Sequence, residues 1–157
     1  MPSGPERVQE ALDKHGLGVK VMRLPESTRT APEAAKAAGS EVGAIVKSLL
    51  FLADGKPLLV MCSGDRRVDT DRVAGLVGVS EVKMAPAEEV RRITGYAIGG
   101  VPPLGHATHV DILMDNALFR YDTVYAAAGA HDAIFPIDPH ALARVTEARL
   151  EDVGASS

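Results

Sequence analysis

Cysteine is almost absent from this sequence: Cys62 is the single cysteine among 157 residues. One cysteine excludes an internal disulfide, which predicts a reducing, cytoplasmic location. Long apolar runs are also absent, since none approaches the roughly 20 residues that are needed to cross a bilayer. Residues 1–10 have no apolar segment of the kind that marks a signal peptide. The sequence therefore predicts a protein that does not associate with membranes.

Positive charge is scarce as well. Seventeen Lys and Arg stand against 21 Asp and Glu, which gives a net charge of −4 at pH 7. Binding along a nucleic acid depends on neutralising many phosphates, so this balance argues against a DNA-binding protein. A nucleic acid that is contacted at only a few phosphates remains compatible with it. The composition, 46% hydrophobic, is typical of a globular protein, and we predict a single domain over residues 1–157.

Several catalytic and cofactor motifs are missing. The sequence has no GxGxxG, no P-loop and no GxSxG, so neither a nucleotide cofactor nor a serine hydrolase is indicated. His106 and His109, with Asp111 close by, form the best alternative, a metal site. These histidines follow two adjacent prolines in a loop, and the sequence has neither the HExxH helix nor a cysteine pair of the kind that marks zinc sites. We therefore predict no metal and no cofactor.

Helical and strand patterns follow one another without a regular βαβ alternation. Helices are predicted to begin after Ser3, Thr30, Asp69, Pro86 and Asp138, the last continuing through Arg149. Strands are predicted at residues 19–24, 44–52, 58–62, 79–84, 110–114, 123–128 and 134–137, and residues 53–57 should turn a hairpin. Pro136 should place the last strand at an edge or bulge, and the tail after Leu150 should fray. These elements predict an α+β fold with a mixed, mostly antiparallel, twisted sheet and helices outside it.

A glycine–proline loop occupies residues 94–109. Its glycines permit positive φ and a close ligand approach, while Pro102 and Pro103 stiffen the path. The amides of Gly99, Gly100 and Val101 are candidates to face an anion, a carbonyl or a ribose. The alternative is a tight turn that only joins two elements.

Lys47 is out of place in its strand. Strand alternation puts it on the same face as the apolar residues Ile45 and Leu49, where a lysine must reach water or meet an anion. One interpretation is structural, an edge lysine that guards the sheet. The other is functional, a cation held for a phosphate or a developing oxyanion.

Three stretches together resemble the YbaK-like, prolyl-tRNA synthetase-associated editing domains, which deacylate misacylated tRNA. They are residues 45–49 (IVKSL), residues 95–106 (GYAIGGVPPLGH) and residues 128–131 (AGAH) leading to 136–138 (PID), and their order covers nearly the whole chain. The resemblance implies a helix-flanked mixed sheet, partly barrel-like, with a pocket between Lys47, the glycine–proline loop and the Gly129 turn. It also implies a reaction without a cofactor, on the aminoacyl ester at the 3′ end of tRNA.

The resemblance also implies the site residues. Lys47 matches the family's essential lysine, and we predict catalytic roles for Lys47, Gly100 and His131. The predicted substrate-binding residues are Ser48, Ile98, Gly99, Val101, Pro102, Pro103, His106, Ala128, Gly129 and Phe135. Outer contacts to tRNA are predicted for Lys36, Arg66 and Arg67.

These residues predict an aminoacyl-tRNA deacylase that acts in trans on a small mischarged amino acid. Alanine is expected first and serine or cysteine next, on proline tRNA, because Ile98, Val101, Ala128 and Phe135 should crowd the pocket. A tRNA synthetase is a further possible partner. Two alternatives stay open: a non-catalytic module that binds a tRNA end with the same pocket, and a hydrolase of small molecules that uses a metal.

Overall fold

Ten strands and five helices make up the computed structural model, which describes residues 3–156. The strands are β1 Met22–Arg23, β2 Ile45–Ala53, β3 Lys56–Ser63, β4 Arg66–Val68, β5 Val82–Met84, β6 Asp111–Asp115, β7 Val124–Ala127, β8 Ala133–Ile137, β9 Arg149–Glu151 and β10 Gly154–Ser156. The helices are α1 Gly4–Lys14, α2 Ala31–Ala38, α3 Thr70–Val77, α4 Ala87–Thr94 and α5 Pro139–Thr146, and 3₁₀ turns occupy Val42–Ala44 and Asn116–Arg120. None of the helices within residues 3–156 is long and apolar enough to cross a membrane.

Eight of the strands form one mixed sheet in the order β1-β8-β7-β2-β3-β6-β9, with β5 paired to β2. The pairs β2–β7, β3–β6 and β6–β9 are parallel, and the other four pairs in this sheet are antiparallel. Strands β4 and β10 form a separate antiparallel pair. The predicted α+β class with a mixed, mostly antiparallel sheet is confirmed.

The local signals account for most element boundaries. Both predicted capping boxes are present: the Ser3 and Thr30 hydroxyl oxygens accept from the amides of Glu6 and Glu33, at 3.2 and 3.3 Å. The β2–β3 hairpin is also present, but its turn contains only residues 54–55 instead of five residues. Both have positive φ, 48° and 84°, as a two-residue hairpin turn requires.

The chain after α5 departs from the prediction. Glu147 has a φ of 54° and ends the helix, so the prediction that it continues through Arg149 was wrong. Up to residue 156 the tail does not fray either: it forms the end of β9 and all of β10, and Val153 is fully buried. Strand β8 lies between β1 and β7 and is not an edge strand as predicted, but Pro136 lies beyond the two residues that pair with β1 and so meets no strand on that side within residues 3–156.

Strand β2 is bordered on one edge by two different strands. Strand β7 pairs only with Ile45 and Val46, and β5 pairs only with residues 51–53. Between these pairings β2 has no strand partner on that edge within residues 3–156. The sheet therefore opens beside Lys47, Ser48 and Leu49.

Apolar clusters cover both faces of the sheet. Alternate residues of a strand face opposite sides, so Val46 and Leu50 enter the main core with helix α1. Phe51 packs in a second cluster with helix α3. Ile45 packs in a third against alanines of α2, whose small side chains let that helix lie close to the sheet.

Candidate functional site

A cavity of about 320 Å³ lies where β2 and β7 diverge. It brings together five of the predicted site residues: Lys47, Ser48, Ile98, Gly99 and Val101. The other lining residues come from the segment before α2, from α2 itself, from β2, β7 and β8, and from the turn between β3 and β4: Thr28, Arg29, Thr30, Ala31, Pro32, Ala34, Ile45, Val46, Leu49, Gly64, Tyr125, Ala127 and Ile134.

Lys47 lies half buried on β2, with its ammonium donating to the carbonyl oxygen of Arg66. It is one of two charged residues that line the cavity, and the other, Arg29, is also a cation. Arg29 is exposed and has no ion-pair or hydrogen-bond partner for its side chain among the described residues. The cavity thus carries positive charge without a lining carboxylate, which favours an anionic or oxygen-rich ligand.

Three residues that line the cavity carry polar groups without a hydrogen-bond partner within residues 3–156. The Ser48 hydroxyl oxygen is buried without a hydrogen-bond partner. The amides of Gly99 and Val101 have no acceptor within residues 3–156, whereas the Gly100 amide donates to the Ala97 carbonyl at 3.0 Å. Buried polar groups are normally satisfied. Strand alternation turns the buried Ser48 hydroxyl toward the main core, with Val46 and Leu50. The amides of Gly99 and Val101 are therefore the candidates to bind a substrate carbonyl or hydroxyl.

Gly100 and Gly129 hold two loops together behind the cavity, and neither lines it. The Gly129 amide donates to the Gly100 carbonyl at 2.9 Å. A Cβ on Gly100 would lie 3.0 Å from the Ala130 nitrogen, and one on Gly129, with a φ of 89°, would lie 2.5 Å from the carbonyl carbon of Gly4. The structure therefore gives Gly100 a packing reason, instead of the expected approach of substrate to its Cα.

Ala128 and Phe135 are fully buried in the main core and do not line the cavity. The residues of β7 and β8 that line the cavity are Tyr125, Ala127 and Ile134. Ala127 directly precedes Ala128 in the sequence, and Ile134 directly precedes Phe135. The expected crowding by Ala128 and Phe135 is thus replaced by that of Ala127 and Ile134. The reason is the two-residue period of a strand, which turns adjacent side chains to opposite faces.

The His131 side chain is exposed and is not part of the cavity lining. Its main-chain carbonyl accepts from the Thr28 amide at 2.6 Å and from the Thr28 hydroxyl at 3.0 Å. Thr28 does line the cavity, so the residue 129–132 turn fixes one of its walls. These bonds place the main chain of His131, and not its ring, next to this wall.

His106 lies in a second depression, which Pro103 also lines. Its Nε2 contacts the Pro102 carbonyl at 2.6 Å, and burial lowers the pKa of His106. Pro102 and Pro103 are buried and stiffen the loop.

His109 and Asp111 contact each other at 3.5 Å on the surface, and residues 3–156 contain no cluster of three or more ligating side chains suited to a metal ion.

Arg66 does not present its guanidinium to solvent as an outer tRNA contact would. Its Nε lies 3.3 Å from Oδ2 of Asp115, a fully buried carboxylate, and its Nη2 lies 2.6 Å from Oδ1 of Asp152. Cys62 lies against the same carboxylate, and burial, followed by the Asp115 charge, raises the pKa of its thiol to about 12. Sequence reasoning missed this network because its members are far apart along the chain.

Residues 25–145, more than three quarters of the chain, match the family model of the aminoacyl-tRNA editing domain. The chain belongs to this family. A crystal structure described as that of a candidate trans-editing enzyme for prolyl tRNA synthetase superimposes on the chain with a TM-score of 0.92. Its sequence is 44% identical, and the match covers 99% of each chain.

Two kinds of sequence relative also match the editing domain. The uncharacterized protein YwhH of Bacillus subtilis is 31% identical over 123 residues, which are 78% of each protein. A proline--tRNA ligase of Bacillus licheniformis is 36% identical over 105 residues, 67% of this chain. The ligase is much longer, since the match covers only 18% of its own length.

Proposed function

We propose that this protein is a trans-editing deacylase that hydrolyses the ester of a small mischarged amino acid, alanine first, on proline tRNA. The observation that carries the proposal is the cavity, which Lys47 lines together with Gly99 and Val101, whose amides have no acceptor within residues 3–156. Membership in the editing family supports the reaction class. The similarity to proline--tRNA ligases and to the solved candidate editing enzyme supports the choice of tRNA.

An aminoacyl ester needs no protein nucleophile for hydrolysis. Water attacks the carbonyl carbon, the 3′-oxygen of the terminal ribose leaves, and negative charge develops on the carbonyl oxygen. We assign the Gly99 and Val101 amides to bind that oxygen and Lys47 to supply a nearby positive charge. His131, anchored to Thr28 at the cavity wall, is the group that we assign to orient the ribose hydroxyl or the water.

The size of the cavity favours a small side chain. Ligand pockets commonly measure roughly 300 to 1,000 Å³, and this cavity, about 320 Å³, is at the lower end. Its walls include the branched side chains of Ile45, Ile98, Val101 and Ile134. A synthetase rejects an amino acid that lacks one methylene by only about 1 to 3 kcal/mol, so a separate site that admits small esters adds fidelity.

The test compares initial rates of deacylation for alanyl, seryl, cysteinyl and prolyl esters on proline tRNA at equal concentration. We expect the alanyl ester to react fastest, the prolyl ester to be spared, and the ester lost to exceed one equivalent of protein. A stoichiometric limit would identify a tRNA-end binding module instead, and a fastest rate on the prolyl ester would refute the substrate assignment. Loss of activity with EDTA and recovery with zinc would indicate a metal site.

Arg29 supplies the contact to the nucleotide in this proposal. Its stem packs on Gly99, where an added Cβ would lie 2.6 Å from the Arg29 Cγ. Its guanidinium belongs to an exposed residue and has no partner within residues 3–156. A guanidinium binds phosphate through paired hydrogen bonds. We therefore assign Arg29 to a phosphate next to the terminal adenosine.

Replacing Arg29 by Gln should lower kcat/KM for alanyl-tRNA by roughly 10- to 100-fold, the effect of losing a charge-assisted hydrogen bond. The same change should have little effect on 3′-alanyl-adenosine, which has no phosphate. Lys83→Gln removes an exposed charge from β5, outside the cavity lining, and serves as the control on both substrates. An equal loss on both substrates for Arg29→Gln would contradict the phosphate assignment.

A further inference from the structure

The C-terminal segment, residues 149–156, lies outside the part of the chain that matches the family model. It is nevertheless built into the fold beside the candidate site. Strand β10 pairs with β4 in the register Gly154 with Val68 and Ser156 with Arg66. Val153 is fully buried, and its carbonyl accepts from the amide of Asp69 at 2.9 Å.

Arg66, in β4, joins this segment to the cavity. Its Nη2 donates to Asp152 at 2.6 Å and to the Gly154 carbonyl at 2.9 Å, while its Nε contacts the buried Asp115 on β6. The contact with Asp115 is a charge contact without an aligned hydrogen bond, because Nε has no hydrogen-bond partner within residues 3–156. The main-chain carbonyl of this same residue accepts the Lys47 ammonium.

We infer that Asp152 is a positioning residue that sets the location of the Lys47 ammonium through Arg66. The inference rests on the proposed function, in which Lys47 acts on the ester. A lysine ammonium ends a flexible four-carbon stem, so its position depends on the acceptor that holds it. That acceptor is a carbonyl whose own residue is fixed by Asp152 and Gly154 on one side and Asp115 on the other.

The consequence is that the C-terminal segment contributes to the rate without touching the substrate. A small displacement of a catalytic group costs much of its effect, because the productive geometry is narrow. Loss of the Asp152 contact should therefore affect the chemical step more than substrate binding. The Asp115 contact and the pairing of β4 with β10 remain in such a variant, and the 2.7 Å contact of Asp152 with Arg72 on α3 is lost together with the Arg66 contact.

The experiment compares Asp152→Asn with Glu151→Gln, two neighbouring charge-to-amide changes. Glu151 contacts Arg149 in its own strand and not Arg66. We expect Asp152→Asn to lower kcat on alanyl-tRNA roughly tenfold with KM unchanged, and Asp152→Glu to restore most of it. Glu151→Gln should stay within about twofold of the parent protein, as expected for an exposed surface pair.

A second measurement does not depend on activity. Acetic anhydride labels free amines, and peptide mass spectrometry gives the labelling rate of Lys47 relative to the exposed Lys83. Asp152→Asn should raise the relative labelling of Lys47 several-fold, because its acceptor is less firmly held, and Glu151→Gln should leave it unchanged.

The outcomes separate the inference from the proposed function. If the parent protein turns over no ester, the proposed function fails, and the labelling still decides whether Asp152 positions Lys47. If the parent protein is active but the two variants do not differ in kcat and labelling, the inference is overturned. A lower thermal midpoint for Asp152→Asn with unchanged labelling also overturns it, since that result assigns Asp152 a merely structural role.

Discussion

Replacing Lys47 by methionine should lower kcat on alanyl-tRNA by roughly 100- to 1,000-fold, the usual cost of losing one charge-stabilising group. The thermal midpoint should stay the same or rise. Methionine keeps the apolar stem between Ile45 and Leu49 but removes an ammonium from a half-buried position, where it is costly to desolvate. One hydrogen bond, to the Arg66 carbonyl, is lost in exchange. Parallel measurements of single-turnover deacylation and thermal unfolding test both parts.

Lys83→Met is the matched control for this change. Lys83 is also a strand lysine, and it pairs with Leu52 on the same central strand β2. Its side chain is 64% exposed, does not line the candidate cavity, and lies 3.9 Å from Glu81. The control should keep full activity. Near-normal activity in Lys47→Met would remove the lysine from the mechanism. The main-chain amides of Gly99 and Val101 would then be the remaining source of catalysis.

The fold was predictable where the signal is local. Ser3 with Glu6, and Thr30 with Glu33, mark helix starts because their hydrogen bonds close within four residues. The Asp-Gly pair at residues 54–55 marks the hairpin because few residues adopt positive φ. Glu147 gave no such signal, since a helix that ends on a left-handed glutamate looks like a helix that continues.

The site was predictable only in part, for a reason of strand geometry. The alternation around Lys47 is long enough to show its phase, and the structure places it at the cavity. In the short strands β7 and β8, an error of one residue in the predicted alternation assigns every side chain to the wrong face of the sheet. The sequence analysis predicted that Ala128 and Phe135 face the cavity, whereas the structure places Ala127 and Ile134 there. Arg29 was not predicted as a site residue. It directly precedes the cap of α2, and only the tertiary fold brings that helix against β2.

Gly129 shows that the role of a loop residue, too, was only partly predictable from the sequence. The sequence predicts a substrate contact there, and the structure shows a close approach of two main chains. Gly129→Ala should lower the free energy of unfolding by about 3 kcal/mol: about 1 for a left-handed alanine and about 2 for the clash with Gly4. For a chain of this size that is a fall in thermal midpoint of roughly 6 to 12 °C. Activity should fall too, because the Gly129 amide holds the Gly100 carbonyl at 2.9 Å.

Gly16→Ala separates the two contributions. Gly16 also has positive φ, 65°, but no atom lies within 4 Å of the place of its Cβ. It should therefore show the conformational cost alone, about 1 kcal/mol, with unchanged deacylation. Thermal unfolding and initial rates of both variants, measured side by side, isolate the packing term. If the two alanines destabilise equally and only Gly129→Ala loses activity, the direct role in binding substrate that the sequence predicts is the better explanation for this glycine.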